Sequence, residues 1–295
     1  AQADARRILQ EVKELSENYP NFDSELTEKA THIAYALLSC GCSMVENKDS
    51  ETAEGLLVLE KAGKILSDVF KYNDNEPETK DYNLLISGMA LYAAKQYSRA
   101  FIILNDIDAD FAVGQMIIAF VKKDFYSLLQ SATNIFFSQA PEYLDLYGYD
   151  EWIMTHEIAR CFLVITDFIH TGHQESFDLT SEIFSKLMTI ASQDNLTLYW
   201  LILRLLRIIF ATFQTASLWT VLPPLLPEQK ISEDYIRLLA GFSSPITEIW
   251  PSQSAALPLA LDDNNGAVIN LRTSGGKTRV AEIAILKTLS TNIMS

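Results

Sequence analysis

The residues best suited to chemistry lie near the end of the chain, in the run Thr273-Ser274-Gly275-Gly276-Lys277-Thr278. Adjacent glycines let backbone N–H groups approach phosphate oxygens without a side-chain clash. Lys277 would supply a positive charge for the β- and γ-phosphates, and the Thr278 hydroxyl would supply a ligand for Mg²⁺. This pattern predicts a phosphate-binding loop (P-loop) for ATP and Mg²⁺, and the predicted nucleotide-binding residues extend to Arg279, directly after the loop.

The flanking residues have the order that such a loop requires. Residues 267–271 are apolar and predict a short strand, while residues 278–286 follow a helical pattern. A helix N-terminus at the loop would add the favourable end of its dipole for an anion. The strict pattern has Gly six residues before the lysine, and this chain has Leu271 there. The alternative interpretation is a chance small-residue turn between a strand and a helix.

A glutamine upstream extends the predicted site. Gln253 follows Pro251 and Ser252 at the predicted start of a helix over residues 253–261. A side-chain amide carries an acceptor and a pair of donors, so it can bind adenine through two hydrogen bonds. Alone, Pro-Ser-Gln indicates only a helix start. Together with the loop, it predicts that Gln253 binds the adenine base.

The remaining polar groups favour ordinary interpretations. His170 and His173 flank a predicted turn, and the sequence places no further metal ligand beside them. Asp106, Asp108 and Asp110 alternate as in a calcium loop, but the glycine and the closing glutamate of that motif are missing, which favours a solvated helix connection. No nucleophile–histidine–acid set can be placed from the sequence. The part before the loop therefore predicts a scaffold or interaction surface.

Composition limits the class of protein further. The 295 residues are 48% hydrophobic and 21% charged, which indicates a folded protein with room for two domains. The net charge of −15 argues against the whole chain being a nucleic-acid-binding surface. Three cysteines form no disulfide framework, which predicts a reduced, cytoplasmic location. The sequence begins on Ala1 and ends in or just after a helix, so we expect a piece of a larger protein.

The most apolar run, residues 198–213, predicts a buried core helix. Arg204 and Arg207 interrupt it at mid-length, and its uninterrupted apolar stretch is shorter than the roughly 20 residues that a bilayer needs. We therefore predict no membrane span.

Helical periodicity dominates the first three quarters of the chain. Helices are predicted over residues 3–18, from Ser24, over 52–72, within 84–104, and over 110–121, 125–139, 151–171, 176–193 and 196–218. Short links make neighbouring helices antiparallel, so the fold class is mainly α, as a bundle or solenoid of antiparallel helix pairs. Gly88, Tyr97 and Ala100 match tetratricopeptide offsets once, so the repeats are tetratricopeptide-like at best.

Two adjacent prolines, Pro223 and Pro224, mark the clearest domain boundary. We predict a helical accessory or interaction domain over 1–222 and a proline-rich linker over 223–244. The linker includes a short helix over 233–240, which Ser232 caps and Gly241 ends. Residues 245–295 are then predicted to form the strand–P-loop–helix start of an α/β domain.

Residues 246–289, with the P-loop and the upstream Gln253, resemble the opening of the first RecA-like motor domain of superfamily 2 DNA/RNA helicases. The resemblance implies that Gln253 binds adenine and that residues 273–278 bind phosphate. Arg272 stands where that family usually has Pro, and Gly275 where it usually has Ala; neither change removes a phosphate ligand. The acidic Mg²⁺ box, the second motor lobe and the arginine fingers of the family are not in this chain.

A helical front end before such a motor is also similar to the helicase subunit of bacterial antiphage defence systems of the Hachiman type. This resemblance depends on domain order and the kind of motor, not on residues of the helical part. It implies the N-terminal part of an ATP-dependent helicase or translocase, with DNA or RNA bound through the parent's motor domains and a protein partner on the helical domain. We expect the 295-residue chain alone not to hydrolyse ATP. The alternative function is a helical scaffold that docks a partner such as a nuclease and has no catalytic activity.

Overall fold

The computed structural model describes residues 24–47, 52–71, 77–107, 109–140, 146–226, 228–262, 266, 268–270 and 276–293. Within these ranges the regular structure is helical, apart from one isolated antiparallel bridge between Ser217 and Glu248. In chain order, the helices are α1 Ser24–Glu46, α2 Thr52–Phe70, α3 Pro77–Ala93, α4 Tyr97–Asn105, α5 Ala112–Lys122, α6 Phe125–Phe136, α7 Leu146–Thr171, α8 Glu175–Gln193, α9 Thr197–Ala216, α10 Leu218–Val221, α11 Gln229–Ala240, α12 Pro251–Ala260 and α13 Lys277–Ile293.

The mainly α prediction is confirmed, and the errors among the predicted helices lie at a few boundaries. Helix α3 begins at Pro77, ahead of the helix predicted within residues 84–104, because proline fits the first turn, where its missing N–H needs no partner. Helix α11 begins at Gln229, so Ser232 is not its cap but a buried residue whose hydroxyl donates to the Gln229 carbonyl at 2.7 Å. Gly241 ends that helix as predicted. The predicted helix over residues 3–18 lies outside the described residues.

The predicted strand over residues 267–271 is not supported. Residues 268–270 are described and adopt no strand, and Val268 is fully exposed. A strand needs a neighbour to satisfy its backbone N–H and C=O groups, and the described part of the chain contains no strand that could pair with it. An RecA-like continuation of the fold therefore remains a proposal.

The α3–α4 pair has the close approach that its small residues predicted. A Cβ added to Gly88 would lie 2.5 Å from Cγ and Cδ2 of Leu104, so the two helices touch through the glycine. Ala100, on the facing helix, is completely buried. The match to tetratricopeptide offsets thus reflects real contact between antiparallel helices.

The chain divides into two compact units, and the division crosses α7, α8 and α9. The first unit comprises residues 1–163 and 179–209, and the second comprises 164–178 and 210–295. This division concerns packing. The predicted boundary after residue 222 concerns where an α/β motor domain begins, and it stays a prediction.

Helix α9 is the one described helix long and apolar enough to cross a membrane, and 67% of its apolar window is buried inside the fold. In the first unit its Arg204 is 4% exposed and binds Glu46 of α1, with Nε 3.0 Å from Oε1. A second nitrogen of the guanidinium donates to the Ser43 hydroxyl at 3.0 Å. The arginine that interrupts the apolar run is therefore a paired core residue, and the prediction of a buried core helix is confirmed.

In the second unit one apolar cluster holds α11, α12 and α13 together. Its buried members are Leu218, Leu222, Leu226, Ile236, Leu239, Ile249, Ala256, Leu257, Val280 and Ile283. Lys287 of α13 also donates to the Leu261 carbonyl after α12, at 2.7 Å. This packing fixes the beginnings of α12 and α13, where the candidate site lies.

Candidate functional site

The first part of the site is the beginning of α12, and two backbone hydrogen bonds anchor the residues just before it. The Ile249 N–H donates to the Ala216 carbonyl at 2.8 Å, and the Leu218 N–H donates to the Thr247 carbonyl at 3.0 Å. The Gln253 side chain then turns back along the helix, so that its Oε1 accepts the Trp250 N–H at 2.8 Å. That bond satisfies a backbone donor at a helix start and fixes the orientation of the amide.

The other end of the Gln253 amide faces the last glycine of the predicted P-loop. Its Nε2 donates to the carbonyl of Gly276 at 3.3 Å, and Gln253 is only 7% exposed. The two features predicted from distant stretches, the adenine-binding glutamine and the last glycine of the P-loop, therefore lie in contact. An amide has two N–H groups and two acceptor lone pairs, so one of each is engaged here by backbone.

Gly276 is required at its position for two reasons. Its φ of +72° lies in the left-handed region, which favours glycine. A Cβ there would lie 2.0 Å from Gln253 Nε2, closer than any real contact. Its carbonyl also accepts the Arg279 N–H at 3.1 Å, in the turn that opens α13.

Lys277 and Thr278 form the exposed beginning of α13. The first turn of that helix contains Lys277 and Arg279 and no acidic residue. Positive side chains are unfavourable at a helix N-terminus, where the dipole already presents partial positive charge. An anion bound there would relieve this repulsion and could accept from backbone N–H groups at the helix start.

Arg279 has a different setting from the one predicted. Its guanidinium donates to the Tyr235 hydroxyl at 2.8 Å and forms an ion pair with Glu282, one turn along α13. The Tyr235 hydroxyl donates in turn to Glu282 Oε2 at 3.0 Å, and burial raises the pKa of Tyr235. The Arg279 charge is thus held by α11 and α13, and its role toward a nucleotide stays a prediction.

Of the predicted site residues, the structure brings Gln253 and Gly276 together and places Lys277 and Thr278 directly after them. Thr273, Ser274 and Gly275 lie outside the described residues. Sequence reasoning missed Tyr235 and Glu282. The i,i+3 spacing of Arg279 and Glu282 is a signal that could have been used, whereas nothing local links Tyr235 to a residue 44 positions away.

The described residues fit the phosphate end of ATP. The lysine is exposed and the threonine lies at the helix start, while the Gln253 amide occupies the space that a Cβ on Gly276 would take. Lys277 would meet the β- and γ-phosphates, and Thr278 would meet Mg²⁺, which would neutralise phosphate charge when bound. The adenine end fits less directly, because the Gln253 amide already binds the Trp250 N–H and the Gly276 carbonyl.

Fold and site together define a mainly α-helical chain in which the last described helix begins at Lys277, directly after a glycine that is hydrogen-bonded to Gln253. No family model matches the chain. The chain is 37% identical over 290 residues to the Hachiman protein HamB of Bacillus cereus, a match that covers 98% of this chain and 26% of that protein. The chain therefore spans about a quarter of the length of the curated relative that it matches. This similarity supports the predicted link to Hachiman systems.

Proposed function

We propose that this chain is the N-terminal part of an ATP-dependent nucleic-acid helicase or translocase that acts in antiphage defence. The observation that carries the proposal is the contact between the Gln253 amide and the Gly276 carbonyl, 3.3 Å apart. The motif around Gln253 and the motif Gly276-Lys277-Thr278 are far apart in the sequence, yet they are in contact at the beginnings of two helices. A chance turn at Gly276-Lys277-Thr278 would give no reason for this glutamine.

The similarity to the Hachiman protein HamB supports the defence role. The P-loop and its resemblance to superfamily 2 helicases support the motor. DNA or RNA would bind through motor domains of the parent protein, because the chain itself has 38 acidic and 23 basic residues. The helical part would serve as a protein-interaction or regulatory module in a cytoplasmic protein.

The test is Lys277→Ala in the full-length parent protein. The variant loses the charge that meets the β- and γ-phosphates, so we expect nucleic-acid-stimulated ATP hydrolysis to fall at least about 100-fold, on the scale of removing one charge-stabilising group. A phosphate-release assay with saturating DNA or RNA measures the rate. The matched control is Lys230→Ala, an exposed lysine of α11, which should leave the rate unchanged.

An unchanged rate in Lys277→Ala would remove the motor from the proposal and favour the scaffold alternative. The isolated 295-residue chain is expected to show no hydrolysis, because it lacks the acidic box and second lobe of the family it resembles. Turnover by that chain that disappears in Lys277→Ala would contradict this expectation.

A further inference from the structure

A second candidate binding site lies in the first unit, where a cavity of about 760 Å³ opens among α1, α3, α9 and the segment between α4 and α5. Its volume is within the range of roughly 300–1,000 Å³ that small-molecule sites occupy. None of the described residues of the candidate nucleotide site lines it. It therefore calls for a ligand of its own.

Aromatic rings make up much of the cavity wall. They come from the three helices, from the end of α2 and from the α4–α5 segment: Tyr35, Phe70, Tyr82, Phe111 and Tyr199. The face of an aromatic ring carries partial negative charge and attracts a cation placed over it. The wall thus favours a ligand with an apolar body and a positive charge.

Several hydrogen-bond donors in the cavity lining already donate to acceptors of the protein. The Tyr35 hydroxyl donates to Asn83 Oδ1 at 2.8 Å, and the Tyr82 hydroxyl donates to the Leu198 carbonyl at 3.3 Å. The Asn83 amide donates to the Thr79 carbonyl at 2.7 Å. A tyrosine hydroxyl has one hydrogen to donate, and both hydroxyls already use it. Toward a ligand, these two tyrosines can therefore only accept hydrogen bonds. A ligand that donates hydrogen bonds is the complement.

The charged residues of the lining are acidic. Glu28, Asp110 and Glu151 are exposed and Asp81 is half-buried, while the described lining contains no Lys or Arg. The lining also contains His32, whose Nε2 lies 3.8 Å from Glu28 Oε1. Carboxylates gathered at a cavity raise the local concentration of cations and exclude anions.

One buried hydroxyl in the lining has no hydrogen-bond partner. Thr27 is 7% exposed, and its Oγ1 is buried without a partner. An unsatisfied buried hydroxyl is costly, and native structures contain few of them. A donor group on a ligand inside the cavity would satisfy this oxygen.

We propose that this cavity binds an organic cation: an ammonium or guanidinium group on a short apolar stem. Such groups donate several hydrogen bonds and accept none, which matches the acceptor-only tyrosine hydroxyls. Their charge matches the carboxylates, and the rings cover both the charge and the stem.

Isothermal titration calorimetry of the 295-residue chain tests the proposal. Two cations serve as ligands, agmatine and N-acetyl-arginine amide. The neutral control is N-acetyl-citrulline amide, which keeps the shape of the arginine and removes the charge. We expect saturable one-to-one binding of a cation and none of the citrulline compound. Tighter binding of agmatine would indicate a free small-molecule cation as the natural ligand, and tighter binding of the arginine amide would indicate a side chain within a peptide.

Variants locate the binding. Asp110→Asn should raise the Kd about threefold, the effect of removing one exposed charge. Tyr82→Leu should raise the Kd about tenfold, because the cation loses a ring face. Tyr35→Phe keeps the ring and removes one acceptor, so it should also weaken binding. Because Asn83 Oδ1 loses its donor in this variant, a thermal melting curve checks that the variant is folded at the temperature of the titration. The matched control Asp194→Asn removes an exposed charge of the first unit that does not line the cavity.

Two results would overturn the proposal. One is that the cations bind no tighter than the citrulline compound. The other is that Asp194→Asn weakens binding as much as Asp110→Asn, since this would mean that the cations respond only to the net charge of −15.

Discussion

At the scale of single residues, Gly276 connects the candidate adenine and phosphate ends. Any side chain there meets the Gln253 amide and also has to hold φ at +72°. The left-handed conformation costs a non-glycine residue about 1–2 kcal/mol. Displacing Gln253 would add the loss of its bond to the Gly276 carbonyl. The substitution therefore acts on stability before any nucleotide is considered.

We predict that Gly276→Ala lowers the free energy of unfolding by about 1–3 kcal/mol, from the φ penalty and the displaced amide. Urea unfolding followed by circular dichroism measures it. Gly266→Ala is the matched control, because a Cβ there meets nothing within 4 Å and its φ is not in the left-handed region. Equal midpoints for the two variants would show that the Gln253–Gly276 contact does not constrain the chain.

These residues could be predicted where a short sequence motif marks them, and not where only a contact between distant residues does. Gln253 and Gly276 were both found from short motifs whose chemistry is local. The use of the Gln253 carbonyl oxygen by the Trp250 N–H was not foreseen, because a helix-start bond competes for the same amide. Tyr235 was missed because it meets Arg279 only through packing of α11 against α13.

At the scale of elements, helices α3 and α4 pack closely against each other at Gly88, where there is no space for a larger side chain. The added Cβ at Gly88 would lie 2.5 Å from two atoms of the fully buried Leu104. Helices in such contact can accept a methyl group only by moving apart or by rotating the leucine. A large residue opposite a small one is what lets the pair approach closely.

We predict that Gly88→Ala destabilises the chain by about 1–3 kcal/mol through overpacking. Leu104→Ala alone should cost about 2–5 kcal/mol, from the cavity that it leaves. In the double variant the new methyl group occupies part of that cavity, so its cost should be at least about 1 kcal/mol below the sum of the single costs. Urea unfolding of the four proteins gives the coupling. Strict additivity would contradict the close contact, and Gly241→Ala, with nearest atoms at 3.4 Å, is the neutral control.

The elements were predictable where their signal is periodic. The helices from Ser24 and Thr52 and the core helix α9 follow from apolar spacing alone, because each buries one face. The beginning of α11 at Gln229 was missed because no capping side chain marks it. Residues 267–271 were predicted as a strand from apolar composition, but their described part, residues 268–270, adopts none. A strand also needs a partner, which composition cannot supply.

At the scale of the whole molecule, the three cysteines differ in exposure and so report on the fold. Cys40 is exposed, while Cys42 and Cys161 are completely buried. Burial raises the pKa of Cys42 from 9.0 to about 12 and raises the pKa of Cys161 still further above its ordinary range. Both buried thiols therefore stay protonated in the folded chain under conditions in which the unfolded chain ionises them.

This difference makes stability depend on pH on the alkaline side. Below pH 9 the thiols are protonated in both states, so their contribution is fully present. As the pH rises from 9 toward 12, the unfolded state loses protons that the folded state keeps, so stability falls by up to about 1.4 kcal/mol per pH unit for each buried thiol. Urea unfolding midpoints at pH 8, 9, 10 and 11 should decline accordingly.

Cys42→Ala should make the decline shallower, and Cys40→Ala, which removes an exposed thiol, should leave it unchanged. Equal slopes in all three proteins would mean that Cys42 is open to solvent, contrary to its complete burial on the inner face of α1.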